Sequence, residues 1–324
     1  MEKIKFIDLF CGVGGFRTAM DQACIENDII PECVFSSDID TFCQESYEAN
    51  FGERPFGDIT KINEQDIPDH DILFAGFPCQ SFSIIGKMQG FNDVRGTLFF
   101  DIARILKHKK PKAFVLENVK QLFGHDGGNT LKTIVNVLEK ELGYNVRFAV
   151  LNALDFGLPQ KRERIIIVGH REPILFNFPA PVKPFKSLSE ILEKKVDSKY
   201  YASEMILEKR KSKHKSAYNL SIWHENKSGN ICSYPYSCAL RSGASHNYLL
   251  VNGERRLTPR EMFRLQGFPD DYKIVVSDGQ AKKQAGNAVP VNLVKAVILK
   301  LLPFVAVSMD MTLVLREYEE SYGK

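Results

Sequence analysis

Short apolar runs recur along the first 170 residues, and stretches of helical spacing separate most of them. The runs occupy residues 6–10, 34–36, 72–76, 113–116, 146–150 and 165–169. Between two of them, apolar residues recur at the spacing of one helical face, namely Leu131, Ile134, Val135, Leu138 and Leu142. Strands that alternate with helices predict an α/β fold with a doubly wound, mostly parallel sheet. The last two runs leave no room for a helix between them, which predicts an antiparallel edge.

The pattern weakens between about residues 180 and 253, where the chain is polar and basic, and this predicts a second, smaller and irregular domain. Regular structure returns at Thr258, because Pro259 and Glu261 complete the pattern of a capped helix start that Gly267 can end. The apolar stripe at 291–302 predicts a helix that packs back onto the first domain. We therefore divide the chain into residues 1–180, 181–283, 284–305 and a tail at 306–324.

Composition and charge exclude several classes of protein. The 324 residues contain seven scattered cysteines without a Cys-x-x-Cys pair, which argues against a disulfide framework and against a metal site. No apolar run is long enough to span a bilayer, and the chain runs from its first residues directly into a strand pattern, so we expect a cytoplasmic protein. The net charge is +3, but basic residues cluster at 194–199 and 209–215. This cluster is typical of either a solvated surface or a surface that attracts phosphates.

A glycine-rich turn follows the first predicted strand. Gly12, Gly14 and Gly15 lack the full spacing of the dinucleotide fingerprint, so the turn alone is weak evidence for a nucleotide. Asp38 comes after the second strand, where a carboxylate can accept hydrogen bonds from ribose hydroxyls. Asp58 follows the next linker and could bind an adenine amino group. Together, this ordered set indicates a nucleotide-like cofactor.

Two candidate reactive groups follow the next strands. Cys79 lies in a loop between Pro78 and Gln80, where packing in the core is a poor explanation for a thiol. Glu117 directly follows the apolar run 113–116 at the end of the predicted strand. Partial desolvation there would raise its pKa enough to make it a proton donor. The other interpretation of Glu117 is a carboxylate at a helix start.

Two arginines precede the last strand of the first domain. Arg162 and Arg164 alternate, so on a strand they would share a face. Paired guanidinium groups suit a phosphate, a carboxylate or a base carbonyl.

These motifs, in this order, resemble the DNA cytosine-5 methyltransferases of bacterial restriction–modification systems. The resemblance rests on Asp8-Leu9-Phe10, Gly76-Phe77-Pro78-Cys79-Gln80, Glu117-Asn118-Val119, Gln160-Lys161-Arg162-Glu163-Arg164, Gln266-Gly267-Phe268-Pro269 and Gly286-Asn287-Ala288-Val289-Pro290. It covers nearly all of residues 4–170 and 254–302. It implies methyl transfer from S-adenosylmethionine to C5 of a flipped-out cytosine in a short duplex site, through a covalent bond between Cys79 and C6.

The resemblance also implies roles for particular residues. Glu117 would protonate N3 of the cytosine, Arg164 would hold its O2 or steady Glu117, and Arg162 would lie near the backbone. The cofactor pocket would comprise Asp8, Phe10, Gly12, Gly14, Gly15, Asp38, Ile39, Asp58, Ile59, Pro78, Leu98, Asn287, Ala288 and Val289. The residues that contact DNA would include Gln80, Ser83, Lys87, Arg95, Arg241 and Ser242, the first four on a loop that closes over the base.

The same resemblance sets the expected partners and the alternatives. It implies an enzyme that acts as a monomer on double-stranded DNA, and a cognate restriction endonuclease that makes no stable contact with it. Residues 181–283 would read the DNA site, and 284–305 would complete the catalytic domain. One alternative is a tRNA cytosine-5 methyltransferase, and another is a regulator that binds DNA without catalysis on the same fold.

Overall fold

The computed structural model describes residues 2–78, 98–172, 175–182, 184–244 and 248–306. Among these residues, the central sheet comprises β1 (Lys3–Leu9), β2 (Ile30–Ser37), β3 (Ile72–Gly76), β4 (Ala113–Val119), β5 (Asn145–Asn152) and β7 (Glu163–His170). The strand order is β2-β1-β3-β4-β7-β5. The first four strands are parallel, whereas β7 pairs antiparallel with both β4 and β5. The predicted α/β class and the antiparallel edge are confirmed.

Helices cover both faces of this sheet. One face packs against α1 (Gly15–Ile25) and α9 (Val291–Leu301) through residues such as Phe16, Met20 and Val294. The other face packs against α3 (Leu98–Lys109) and α4 (Asn129–Asn136). The predicted helix at 129–142 is therefore present, although its last turn, Val137–Glu141, has π-type hydrogen bonding. Side chains along each strand enter the two cores in turn, because successive strand residues point to opposite faces of the sheet.

A smaller antiparallel sheet follows, in the order β12-β11-β8-β9. Its strands are β8 (Ile222–Glu225), β9 (Ile231–Tyr234), β11 (Leu249–Val251) and β12 (Arg255–Arg256). Two short strands, β6 (Gln160–Lys161) and β10 (Ser237–Cys238), pair in parallel as a separate two-stranded sheet, and β6 comes just before β7 in the chain. Helices α2 (Thr41–Phe51), α5 (Leu188–Ile191) and α6 (Glu204–Lys213) complete the part of the chain before residue 258.

The capped helix predicted after residue 257 is α7 (Pro259–Leu265). Thr258 accepts from the backbone N–H of Glu261, whose side chain accepts from the N–H of Thr258, and Gly267 follows the helix with a φ of 88°. Helix α8 (Asp278–Asn287) spans the predicted division between residues 283 and 284. One apolar core joins residues on both sides of that division, including Leu240, Phe263 and Val294.

The stretch Asp278–Phe304 is apolar and long enough to cross a membrane, and within the described ranges no other stretch meets these criteria. It is not one continuous helix, since α8 ends at Asn287 and α9 begins only after Pro290. Within its most apolar window, 67% of the residues are buried inside the protein. These properties are typical of core helices, and α9 packs directly against α1 in the core.

Candidate active site

A carboxyl group and a guanidinium group are paired near the carboxyl end of the central sheet. Glu117 is on β4, and Arg164 is on β7, which runs antiparallel beside β4. The Nε atom of Arg164 lies 2.8 Å from Oε1 of Glu117, and the two side chains are 13% and 10% exposed. This short contact in a site with little water holds the carboxyl group in one orientation.

The environment of Glu117 favours its protonated form more than water does. Burial raises the pKa of Glu117, and the charges of Arg164 and Arg162 partly oppose that increase. A carboxyl group that keeps its proton closer to neutral pH can donate a hydrogen bond or a proton to a ring nitrogen.

The strand next to β4 leads to the candidate nucleophile. Gly76, the last residue of β3, pairs with Glu117. A Cβ atom placed on Gly76 would lie 3.8 Å from Oε2 of Glu117 and 3.6 Å from the Val289 side chain. The side-chain amide of Asn118 donates to the carbonyl of Phe77 at 2.8 Å, which holds the chain as it leaves the strand. Pro78 is exposed, and Cys79 follows it outside the described residues.

Four further candidates also lie outside the described residues, namely Gln80, Ser83, Lys87 and Arg95. Their proposed contacts with DNA stay predictions.

Arg162 is placed differently from Arg164. It precedes β7, is 1% exposed, and donates to three backbone carbonyl oxygens, those of Leu240, Gly286 and Ala288. Its charge helps to lower the pKa of Glu117. In the described part of the chain, however, the Arg162 side chain forms no ion pair with a carboxylate. The two arginines therefore lie near one carboxyl group while they make different contacts.

The glycine turn after β1 has the backbone conformation that the sequence pattern indicates. Phe10, Gly12 and Gly14 all have positive φ, at 54°, 54° and 77°. A positive φ is uncommon for phenylalanine and marks a tight turn. Asp38 stabilises this turn, because its Oδ2 accepts from the N–H of Gly12 at 2.8 Å and its Oδ1 accepts from the N–H of Asp40 at 2.8 Å.

Asp8 lies beneath this turn on β1 and has no exposed surface. Neither of its carboxyl oxygens has a hydrogen-bond partner among the described residues. Burial raises its pKa well above the ordinary value, and the charge of Arg17 opposes the increase. A carboxyl group in this position has no accessible surface to offer a ligand.

The remaining candidates surround the carboxyl edge of β1–β3. Ile39 is 70% exposed, and Asp58 is half-buried and accepts from the N–H and hydroxyl groups of Thr60. A Cβ atom on Gly15 would lie 2.6 Å from the Val289 side chain, so the turn and the segment before α9 are in close contact. Ile59, Ala288 and Val289 are buried, Phe10 and Leu98 are half-buried, and Asn287 is exposed.

The described candidates for reading DNA lie close to α8. The backbone N–H of Arg241 donates to the Tyr248 hydroxyl at 2.8 Å, and the Arg241 guanidinium lies 5.0 Å from the centre of the Tyr248 ring. The backbone at Arg241 and Ser242 comes so near to Gly286 that a Cβ atom there would lie 2.3 Å from the Ser242 nitrogen.

The basic cluster lies on the other side of the small sheet. Trp223 contacts His214 at the end of α6, whereas His224 contacts Tyr248, and successive residues of β8 point to opposite faces. Within the cluster, Arg210 is buried and pairs with Glu225 at 3.0 Å, and the neighbouring lysines are exposed. The buried Arg210 therefore has a structural role, while the exposed lysines are compatible with either of the two interpretations of the cluster.

The comparison with known sequences decides which kind of enzyme has this geometry. The sequence model of the family described as C-5 cytosine-specific DNA methylase matches residues 4–302. The chain belongs to this family. It is therefore a DNA cytosine-5 methyltransferase of restriction–modification type, and the predicted resemblance is confirmed.

Several relatives are similar to this methyltransferase along nearly their whole length. Type II methyltransferase M.NgoBI of Neisseria gonorrhoeae is 56% identical over 90% of this chain and 91% of its own. M.HaeII of Haemophilus aegyptius is 55% identical over 92% of each chain. M.HhaI of Haemophilus parahaemolyticus is 43% identical over 90% of this chain and 92% of its own.

Solved structures support the fold at much lower identity. The S. pombe Dnmt2 methyltransferase superimposes with a TM-score of 0.71 at 22% identity and covers 92% of this chain and 98% of its own. The Entamoeba histolytica methyltransferase EhMeth gives a TM-score of 0.70 at 18% identity, over 94% of this chain and all of its own. At such low identity these likenesses concern the architecture alone.

A methyltransferase needs a methyl donor, and the turn after β1 fits a nucleoside-like one. A Cβ atom on Gly12 would meet no atom within 4 Å, so the turn leaves open space beside its backbone. Each oxygen of Asp38 already accepts one N–H, but an ionised carboxylate can accept about four hydrogen bonds. The exposed Ile39 offers an apolar surface for a base at the same edge.

Sequence reasoning assigned no individual role to two polar residues that the methyltransferase buries. Gln160 is fully buried, and Asn118 is 2% exposed. The sequence feature that could have identified them is a polar residue within a segment that is otherwise mostly apolar. Their partners lie on distant parts of the chain, so the local pattern could not identify them.

A groove of about 560 Å³ lies away from these residues, between α1, α7 and α9. Its lining includes Arg264, Asp270 and Lys295, and none of the predicted catalytic or cofactor residues. The Arg264 guanidinium already binds the Asp270 carboxylate through two contacts, at 2.6 and 3.0 Å. The groove is therefore separate from the candidate active site.

Proposed function

We propose that this methyltransferase transfers a methyl group from S-adenosylmethionine to C5 of a flipped-out cytosine in a short duplex DNA site, through a covalent bond between Cys79 and C6. The observation that carries the proposal is the buried pair of Glu117 and Arg164. It lies beside Gly76 and Val289, where the chain leaves β3 toward Cys79.

The chemistry requires a nucleophile because C5 of cytosine is a weak one. The Cys79 thiolate adds to C6, the electrons of the C5–C6 double bond move toward C5, and Glu117 protonates N3 as the charge develops. The cofactor, when bound, supplies the methyl group that C5 takes. Loss of the C5 proton to a base, return of the N3 proton to Glu117 and cleavage of the sulfur–C6 bond then restore the aromatic ring, the proton donor and the thiolate.

Arg164 orients this proton donor. Its contact with Oε1 leaves the second oxygen of Glu117 for the substrate. Its Nη1 donates to the Glu163 carbonyl at 2.8 Å, and its Nη2 is suited to the cytosine O2. Arg162, the other candidate catalytic residue, lies within electrostatic range of Glu117, but it holds the backbone around the site.

For the cofactor, we propose that Asp38 binds the ribose hydroxyls and that Asp58 binds the adenine amino group. Gly12 leaves open space beside the backbone for the cofactor, whereas Gly14 and Gly15 let Phe51 and Val289 pack against the turn, and Asp8 lies buried on the strand that leads into it. The rest of the pocket comprises Phe10, Ile39, Ile59, Pro78, Leu98, Asn287, Ala288 and Val289. These positions surround the carboxyl edge of the sheet, where ligands of open α/β folds bind.

For DNA, we propose that the 181–283 region reads the site with Arg241 and Ser242 nearest the reaction. Gln80, Ser83, Lys87 and Arg95 contact the strand around the flipped base. The enzyme acts as a monomer in the bacterial cytoplasm, and a cognate endonuclease, where present, acts on the same site without binding to it.

Bisulfite sequencing tests this function. Unmethylated genomic DNA is incubated with the enzyme and S-adenosylmethionine, with the Cys79→Ser variant in parallel. We expect cytosines to be protected in one short motif by the wild type alone. No protection of DNA, together with methylation of tRNA by the same preparation, would replace the proposal with the RNA-modifying alternative.

A further inference from the structure

The backbone of Leu240 is held by two side chains from another part of the chain. Oε1 of Gln160 accepts from the N–H of Leu240 at 3.0 Å, and Nη1 of Arg162 donates to its carbonyl at 2.9 Å. Leu240 is 3% exposed, and Gln160 is fully buried. Since buried backbone groups are costly to leave unpaired, these two contacts fix the position of this one residue.

The same two side chains reach beyond Leu240. Nε2 of Gln160 donates to the carbonyl of Leu265, at the end of α7, at 2.8 Å. Arg162 also donates to the carbonyls of Gly286 and Ala288, at 3.0 and 2.8 Å. Gln160 and Arg162 therefore connect Leu240 to the ends of α7 and α8.

The position of Leu240 matters because Arg241 and Ser242 follow it. Upstream, β10 pairs with β6, with Cys238 opposite Lys161. Downstream, the backbone at Ser242 contacts Gly286 so closely that no side chain fits between them. The segment is held on both sides, and the Gln160 amide fixes its register between these two contacts.

We infer that Gln160 is a positioning residue for sequence specificity, which sets where Arg241 and Ser242 stand relative to Glu117 and Arg164. The inference rests on the proposed function, since it assumes that this segment reads DNA. In this account Arg162 shares the positioning role. A loss of the Gln160 contacts lets the segment shift while the catalytic pair stays in place.

The test compares Gln160→Met with Lys161→Met, an exposed neighbour that serves as the matched control. Methionine matches the length of glutamine and removes the three hydrogen bonds of its side chain, to Leu240, Leu265 and Gln266. Initial rates are measured on duplexes that carry the cognate site or the site with one base changed. We expect Gln160→Met to raise the KM for DNA and to lower discrimination, each about tenfold, with kcat within about threefold of the wild type.

A structural readout separates this inference from the proposed function. In the ligand-free enzyme, hydrogen exchange at the Leu240 amide should be faster in Gln160→Met than in Lys161→Met, whatever reaction the enzyme catalyses. An enzyme that methylates no DNA refutes the proposed function. Unchanged hydrogen exchange at the Leu240 amide refutes the inference that Gln160 holds the Leu240 backbone in place.

Two outcomes of the kinetic test would overturn the inference. One is a loss of kcat with discrimination unchanged, which would give Gln160 a role in the chemistry. The other is no change in either quantity. Where Gln160→Met does not fold, Gln160→Asn keeps an amide but is too short to reach both Leu240 and Leu265, and the same expectations apply to it.

Discussion

Nε of Arg164 contacts Oε1 of Glu117 at 2.8 Å across two antiparallel strands, and both side chains are almost completely buried. The contact orients the carboxyl group, and burial raises its pKa while the arginine charge limits that increase. One residue pair therefore sets both the direction and the acidity of the proposed proton donor.

The first prediction concerns Glu117 itself. Because its folded-state pKa is raised, the protonated donor is lost only as the pH rises through that raised pKa, which gives kcat an alkaline limb. Glu117→Gln keeps the shape but supplies no proton. We expect kcat to fall about a hundredfold and the alkaline limb to disappear in a pH–rate profile. A variant that keeps the limb would assign it to another group.

The second prediction uses the same profile for Arg164→Gln. The arginine charge lowers the pKa of Glu117, so its removal should raise that pKa further. We expect the alkaline limb to move to higher pH while kcat falls. Lys120→Gln, a nearby exposed charge paired with Glu163, is the control and should leave the limb in place. A shift of the limb to lower pH would contradict the account.

The third prediction concerns the stability effect of Asp8. Its raised pKa means that the folded state binds this proton more tightly than the unfolded chain. The free energy of unfolding should therefore fall as the pH rises from the ordinary carboxyl pKa through the raised value. Asp8→Asn removes this contribution, so its stability should fall less than that of the wild type as the pH rises above the ordinary carboxyl pKa.

Chemical denaturation at several pH values measures this difference. Asp69→Asn, at an aspartate whose side chain is 93% exposed in the wild type, is the control for the substitution itself. Parallel curves for Asp8→Asn and the wild type would show that the buried carboxyl does not titrate differently on folding.

The fourth prediction concerns the ion pair that holds α7. Arg255 donates to both oxygens of Glu261, at 2.7 and 2.8 Å, and both residues are buried. Arg255→Ala leaves a buried carboxylate without its main partner, so the free energy of unfolding should fall by about 3 kcal/mol. Arg54→Ala breaks an exposed pair with Glu48 and should cost less than about 1 kcal/mol. Equal losses in urea denaturation would contradict this difference.

Much of the fold could be predicted from local patterns. The runs at 72–76 and 113–116 are strands because apolar residues of that length are buried on both faces, and the capped start at Thr258 is a helix for local reasons. The buried position of Glu117 could also be predicted, since a carboxylate that directly follows an apolar run points to a buried edge.

The roles of Gln160 and Arg162 could not be predicted from the same patterns. Their partners Leu240 and Gly286 are 80 and 124 residues away in the chain, and the contacts run from side chain to backbone. Such contacts leave no periodicity and no spacing in the sequence. The expectation that Arg162 and Arg164 share a face rested on strand alternation, whereas Arg162 lies before β7 and binds backbone carbonyls.

The central claim is the covalent bond between Cys79 and C6. A duplex with the target cytosine replaced by 5-fluorocytosine tests it most directly, because fluorine at C5 cannot leave as a proton would and the adduct cannot break down. With S-adenosylmethionine present, we expect a stable protein–DNA complex that peptide mass spectrometry locates at Cys79, absent in Cys79→Ser and present in Cys232→Ser. Methylation of the ordinary duplex without a trapped adduct, or an adduct at another residue, would contradict the mechanism.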